Sequence, residues 1–116
     1  MEQRINFYAN GNGAFQSLSG LAAHLGKCSI EKQLLHLIYF RVSQINGCAF
    51  CLDMHSKDLL AVAETTQRLL VLDAWKEAPF YSDRERAALT WAEALTKLND
   101  GLIADEIYND VKAHFS

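Results

Sequence analysis

The stretch Ile45-Asn46-Gly47-Cys48-Ala49-Phe50-Cys51-Leu52-Asp53-Met54-His55 reads as the end of one helix, a two-residue turn and the start of a second helix. Asparagine followed by glycine stops a helix because glycine takes up the left-handed conformation of a helix C-terminus without steric cost. Cys48, Cys51 and His55 stand at i, i+3 and i+7 on the second helix, so their side chains project from one side. No other segment of the chain gathers reactive side chains so tightly.

Working outward, the residues before the turn carry a broad apolar stripe: Leu34, Leu35, Ile38, Val42 and Ile45 at helical spacing, widened by Leu37 and Phe40. Such a helix belongs at the centre of the fold, packed on several sides. Ser29 is its expected cap, with Glu31 in the first turn where the helix dipole favours an acid. His36 lies inside this apolar run, a place where histidine is usually a satisfied core or interface group. After the turn, the second helix continues to about Ala63, with Leu52, Leu59, Leu60 and Val62 inward and Asp53, Lys57 and Asp58 on the polar side.

The flanking segments follow the same period. A turn at Asn10-Gly11-Asn12-Gly13 precedes a helix from Ala14 to Lys27 with Phe15, Leu18, Leu21, Ala22 and Leu25 on one face. His24 on that helix is expected in solvent, and Cys28 at its end is expected to be a small buried hydrophobe. Thr65 caps a helix from Gln67 to Lys76 that buries Leu69, Leu70, Leu72 and Trp75 and stops before Pro79. Ser82-Asp83-Arg84-Glu85 matches a capping box and opens a helix to Leu98, with Ala87, Ala88, Trp91, Leu95 and Leu98 inward. Asn99-Asp100-Gly101 makes a turn into a last helix from Asp105 to about Phe115 carrying Ile107, Tyr108, Val111 and Phe115. The expectation is an all-α fold of six helices around a central helical hairpin, in a single domain over residues 1–116.

The bulk composition fits that reading and excludes several partners. Of 116 residues half are hydrophobic and one is proline, which suits a helical domain with its own core. The net charge is −3 and the Lys and Arg residues are scattered, which argues against nucleic acid or an anionic membrane. The first residues lead into no apolar run of a signal peptide, and no stretch approaches the roughly 18 apolar residues of a membrane span. A cytoplasmic protein is expected. Three cysteines are too few and too odd in number for a disulfide scaffold, so Cys48-x-x-Cys51 points to catalysis or metal binding.

A free thiol is only about 3% ionised at neutral pH, and the thiolate is the nucleophile. Backbone N–H groups at a helix start favour an anion by up to about 2 kcal/mol, and this argument selects Cys48. An imidazole one turn away can act as base or cationic partner, and that argument selects Cys51, four residues before His55. Spacing alone leaves the two open. A second thiol three residues off can capture a sulfenic acid as a disulfide. A thioredoxin-type exchanger would need strands around the motif, and haem attachment would need histidine where Leu52 stands. Zinc is the main alternative: Cys48, Cys51 and His55 as three ligands, with His36, His24 or Cys28 as a fourth.

Residues 41–55, Arg-Val-Ser-Gln-Ile-Asn-Gly-Cys-Ala-Phe-Cys-Leu-Asp-Met-His, resemble the core motif of the alkylhydroperoxidase D-like branch of the carboxymuconolactone decarboxylase family. Glu64–Arg68 and Trp75–Leu89 are similar to what small members carry, so the likeness covers almost the whole chain. The resemblance implies an all-α fold assembling as trimers or hexamers. It also implies reduction of peroxides by the cysteine pair without cofactor or metal, with a thiol or lipoyl-type protein as reductant. In that scheme Cys51 attacks peroxide, Cys48 closes the disulfide and His55 activates the thiol within a proton relay.

The chain departs from the family pattern in three places. The relay glutamate twelve residues before the first cysteine is His36 here, an imidazole whose ionisation and reach differ from a carboxylate's. Phe50 stands where the founding peroxidases carry histidine. Small members usually continue past the segment like Ala113-His114-Phe115-Ser116 into another apolar helix. The expected function is a peroxidase using Cys51, Cys48, His55 and His36; the alternative is a metal-binding or redox-sensing oligomer without turnover.

Overall fold

Every regular element is helical among residues 4–98 and 101–115, which the computed structural model describes. The chain divides into two compact units, Met1–Ile30 and Glu31–Ser116. The first holds α1 (Phe7–Asn10) and α2 (Asn12–Leu25). Asn6 caps α1 by accepting the Ala9 N–H at 3.0 Å, and Phe7, Tyr8 and Phe15 meet edge to face. The apolar repeat of α2 is present, yet Phe15, Leu18, Leu21 and Leu25 all remain exposed. His24 is in solvent as expected, whereas Cys28 is exposed rather than buried. It lies beyond the C-cap Gly26 of a helix whose own apolar face is exposed, and its thiol donates to the His24 carbonyl at 3.5 Å.

The second unit holds α3 (Lys32–Ile45), α4 (Ala49–Ala61), α5 (Thr66–Leu70), a 3₁₀ turn (Leu72–Ala74), α6 (Asp83–Lys97) and α7 (Asp105–His114). As its sequence demands, α3 is central and packs against both α4 and α6, while α7 packs on α6. Leu37, Phe40, Leu59, Leu69, Leu72, Trp75, Tyr81 and Leu89 form the core. Thr65 caps α5 by accepting the Arg68 N–H, and Ser82 and Glu85 close the capping box of α6. None of the described helices is long and apolar enough to cross a membrane.

Three local expectations are corrected. Ser29 does not cap α3; Glu31 holds the N-cap position without a side-chain cap and turns its carboxylate to Arg84 at 3.2 Å. The helix expected over Gln67–Lys76 breaks at Val71 into α5 and the 3₁₀ turn. Its buried residues Leu69, Leu72 and Trp75 recur every third position, which suits three residues per turn and leaves Leu70 77% exposed. Leu60, Leu95 and Leu98 are also exposed rather than inward. The last helix runs over Asp105–His114 as expected, and Phe115 beyond it is extended. The expected turn at Asn99-Asp100 lies outside the described residues.

A buried polar joint fixes α3 to α6. Arg41 and Glu93 are each less than a tenth exposed, and the Arg41 Nε–H donates to Glu93 Oε1 at 2.9 Å. Trp75 Nε1–H donates to the same oxygen at 2.8 Å, and Lys76 Nζ lies 3.3 Å from Oε2. Arg41 also reaches Asp73 at 2.5 Å and Gln44 at 2.9 Å. A buried ion pair is tolerable when such hydrogen bonds satisfy both ions, and removing one partner leaves an uncompensated charge.

Burial pushes the Glu93 carboxyl up, but hydrogen bonds from Trp75 and Arg41, the Arg41 charge and a hydrogen bond from Lys76 outweigh it and hold the group below the ordinary carboxylate range. Because the folded value lies below the unfolded one, the stabilisation is present above the ordinary range and is lost as pH falls through the folded value. Denaturant unfolding as a function of pH is expected to show an acid decline that is shallower in Glu93→Gln, on a lower plateau. The hairpin turn gives a second expectation. Gly47 has φ +62° and a Cβ there would meet no atom within 4 Å, so Gly47→Ala loses about 1 kcal/mol through backbone strain alone. Gly47→Asn should lose less, as read from denaturation midpoints.

Candidate functional site

The turn that ends α3 delivers the two cysteines. Gly47 N–H bonds back to the Gln44 carbonyl and Cys48 N–H to the Ser43 carbonyl, each at 3.1 Å, so the chain reverses within two residues. Cys48 is then the N-cap of α4, and its Sγ accepts the Cys51 N–H at 3.3 Å. Cys48 and Cys51 are joined as a disulfide, half-buried on both sides. On reduction, a Cys48 thiolate would keep that N–H and the positive end of the α4 dipole.

One turn beyond Cys51, His55 meets residues of α3. Its Nδ1 lies 3.4 Å from Asp58 Oδ2, and His36 Nδ1 lies 3.8 Å from the same oxygen. Both Nδ1 atoms are out of solvent and without a hydrogen-bond partner. Tyr39 packs beside both imidazoles, 5.2 Å from the His55 ring and 6.1 Å from that of His36, with the two imidazoles 6.3 Å apart. Thus His36 and Tyr39, three apart on α3, face His55 and Asp58, three apart on α4.

Of the residues singled out from sequence, the fold joins Cys48 to Cys51 and brings His36 to His55. With their sulfurs bonded to each other, the cysteines present no free thiolate to a metal. His24 and Cys28 belong to the first unit. The sequence does not single out Asp58 or Tyr39: Asp58 reads as solvated polar surface, and Tyr39 falls among apolar neighbours. The available signal was the i, i+3 spacing of each to a histidine.

A groove of about 580 Å³ lies elsewhere, between α3, α6 and α7, lined by Ile38, Val42, Trp91, Leu95, Val111 and Phe115 among others. Ile38 and Val42 are on the side of α3 turned away from His36, so this groove is separate from the cysteine site.

Comparison with known proteins bears on what the site belongs to. Residues 13–94 match the model of the carboxymuconolactone decarboxylase family. The chain is 38% identical over 115 residues to the uncharacterized protein YdfG of Bacillus subtilis (strain 168), spanning 99% of this chain and 78% of that protein. It is 32% identical over 79 residues to the uncharacterized protein YnjA of Escherichia coli (strain K12), spanning 68% and 43%. Among solved structures it is similar to a protein of unknown function from Agrobacterium tumefaciens that is provisionally described as the antioxidant defence protein AhpD. That similarity has a TM-score of 0.92 at 36% identity and covers 99% of this chain and 79% of the other.

The disulfide has a direct chemical readout. Titration of denatured, unreduced protein with a thiol reagent is expected to find one thiol per chain, that of Cys28, and three after reduction. Three thiols before reduction would contradict the oxidised pair.

Proposed function

Because this chain belongs to the carboxymuconolactone decarboxylase family, we propose that it is a thiol-dependent peroxidase that reduces alkyl hydroperoxides through Cys51 and Cys48. The observation that carries the reading is the Cys48–Cys51 disulfide at the start of α4, one turn from the half-buried His55. An all-α fold shared with the provisionally described antioxidant protein supports it.

In the proposed reaction the Cys51 thiolate attacks a peroxide oxygen. An S–O bond forms, the O–O bond breaks, and the alkoxide leaves and takes a proton as the alcohol. Cys48 then attacks the Cys51 sulfenic acid; the S–S bond forms, the S–O bond breaks and water departs. Two thiols and one hydroperoxide become a disulfide, an alcohol and water. A dithiol reductant, thiol or lipoyl in type, returns two electrons and two protons. Cys48 suits the resolving role because its sulfur accepts a helix-start N–H, which favours the thiolate needed for the second step. His55 manages the protons, and His36 takes the relay position with Asp58 as the carboxylate between the two imidazoles.

The working form is proposed to be a homo-oligomer in the cytoplasm. The exposed apolar side chains of α2 support an assembly, and the need for an external dithiol supports a reducing compartment.

Stopped-flow mixing of reduced protein with an organic hydroperoxide should consume two thiols per chain in the parent. Cys51→Ser should lose the fast reaction entirely. His55→Asn should slow it by about a hundredfold, the usual contribution of a positioned acid–base group. Peroxide consumption by Cys51→Ser at the parental rate would overturn the assignment.

A further inference from the structure

The disulfide and the relay leave one feature unexplained: two Nδ1 atoms, out of solvent and without hydrogen-bond partners, aimed at one carboxylate. We propose that His36, His55 and Asp58 form a binding site for a divalent transition cation of the zinc class, separate from the cysteine sulfurs. One ligand atom from each residue lies within 4.8 Å of the other two. Three ligand atoms held about 2.1 Å from a tetrahedral ion stand about 3.4 Å from one another. His55 Nδ1 and Asp58 Oδ2 already have a 3.4 Å separation, His36 Nδ1 lies 3.8 Å from the same oxygen, and the ligand atoms of the two imidazoles, within 4.8 Å of each other, draw together by side-chain rotation as the ion binds.

The charge and access also fit a cation. The histidines are the groups within ion-pair distance of Asp58 among the described residues, so no lysine or arginine neutralises it there. The nearby ammonium of Lys57 is taken by Asp53 at 2.7 Å. Asp58 is 44% exposed, which opens an entry path and leaves room for water as the remaining ligand. One ligand comes from α3 and two come from α4, helices whose relative position is set by the core and the Gly47 turn, so all three lie on regular elements rather than on loops. Two imidazoles and one carboxylate are a donor set that suits zinc and cobalt, whereas a pair of joined sulfurs is not.

Binding takes up the Nδ1 atoms through which His36 and His55 address Asp58. A bound cation therefore inhibits the peroxidase. This consequence rests on the proposed function; the binding itself does not.

The test uses the full chain in its disulfide form, freed of metal, and titrated with Co²⁺ or Zn²⁺ by calorimetry and absorption. One ion per chain is expected, with a cobalt spectrum free of the thiolate charge-transfer band. His36→Ala and Asp58→Asn should each weaken binding by at least about tenfold while circular dichroism shows unchanged helicity. Cys28→Ser should bind like the parent. Absence of binding in the parent, or affinity untouched by both substitutions, overturns the proposal. A chain that binds cobalt in this way but consumes no peroxide keeps the site and sinks only the peroxidase reading.

Discussion

The Arg41–Glu93 pair is the joint on which the second unit depends. It sits where α3 crosses α6 and draws in Trp75 and Asp73 from the connection between α5 and α6, so one guanidinium holds three segments. Burying two charges is costly, and the pair is tolerated because nearly every donor and acceptor on it is used. The consequence for function is indirect. With α3 fixed in rotation by Arg41, His36 and Tyr39 face α4, and Leu37 and Phe40 face the core.

The second constraint is the Gly47 turn. An Asn-Gly stop makes the hairpin tight enough for Cys48 to become the N-cap of α4, and its sulfur accepts the Cys51 N–H. From there the 3.6-residue period alone carries Cys51, His55 and Asp58 along one side of α4. The disulfide and the His55–Asp58 pair are thus laid out along a single helix, with α3 supplying the second imidazole. A cation at the histidines and a disulfide at the helix start would occupy neighbouring turns of the same element, which gives one short segment two ways of responding to its surroundings.

Much of this was legible in the residues. The apolar stripe of α3, the Asn46-Gly47 stop, the Thr65 cap and the Ser82–Glu85 box each depend on neighbours close in sequence, and each is found where local chemistry puts it. What failed depends on tertiary partners. Cys28 looks like a buried hydrophobe by residue type, but its burial is decided by what packs near it. Glu31 was assigned to a first turn, yet Arg84, 53 positions away, takes its carboxylate and the helix starts one residue later. Asp58 was invisible as a site residue for the same reason. Only the packing of α3 on α4 shows that a carboxylate from the polar side stands between two histidines, near the position where the family pattern would have a glutamate.

The central claim is that Cys51 is the atom that meets peroxide and Cys48 the one that resolves it. Trapping the intermediate tests this most directly. Reduced Cys48→Ser treated with one equivalent of organic hydroperoxide and a sulfenic-acid reagent should carry the adduct on Cys51 when its peptides are examined by mass spectrometry. The same treatment of Cys51→Ser should leave Cys48 unmodified. An adduct on Cys48 in the second variant, with none on Cys51 in the first, would contradict the account.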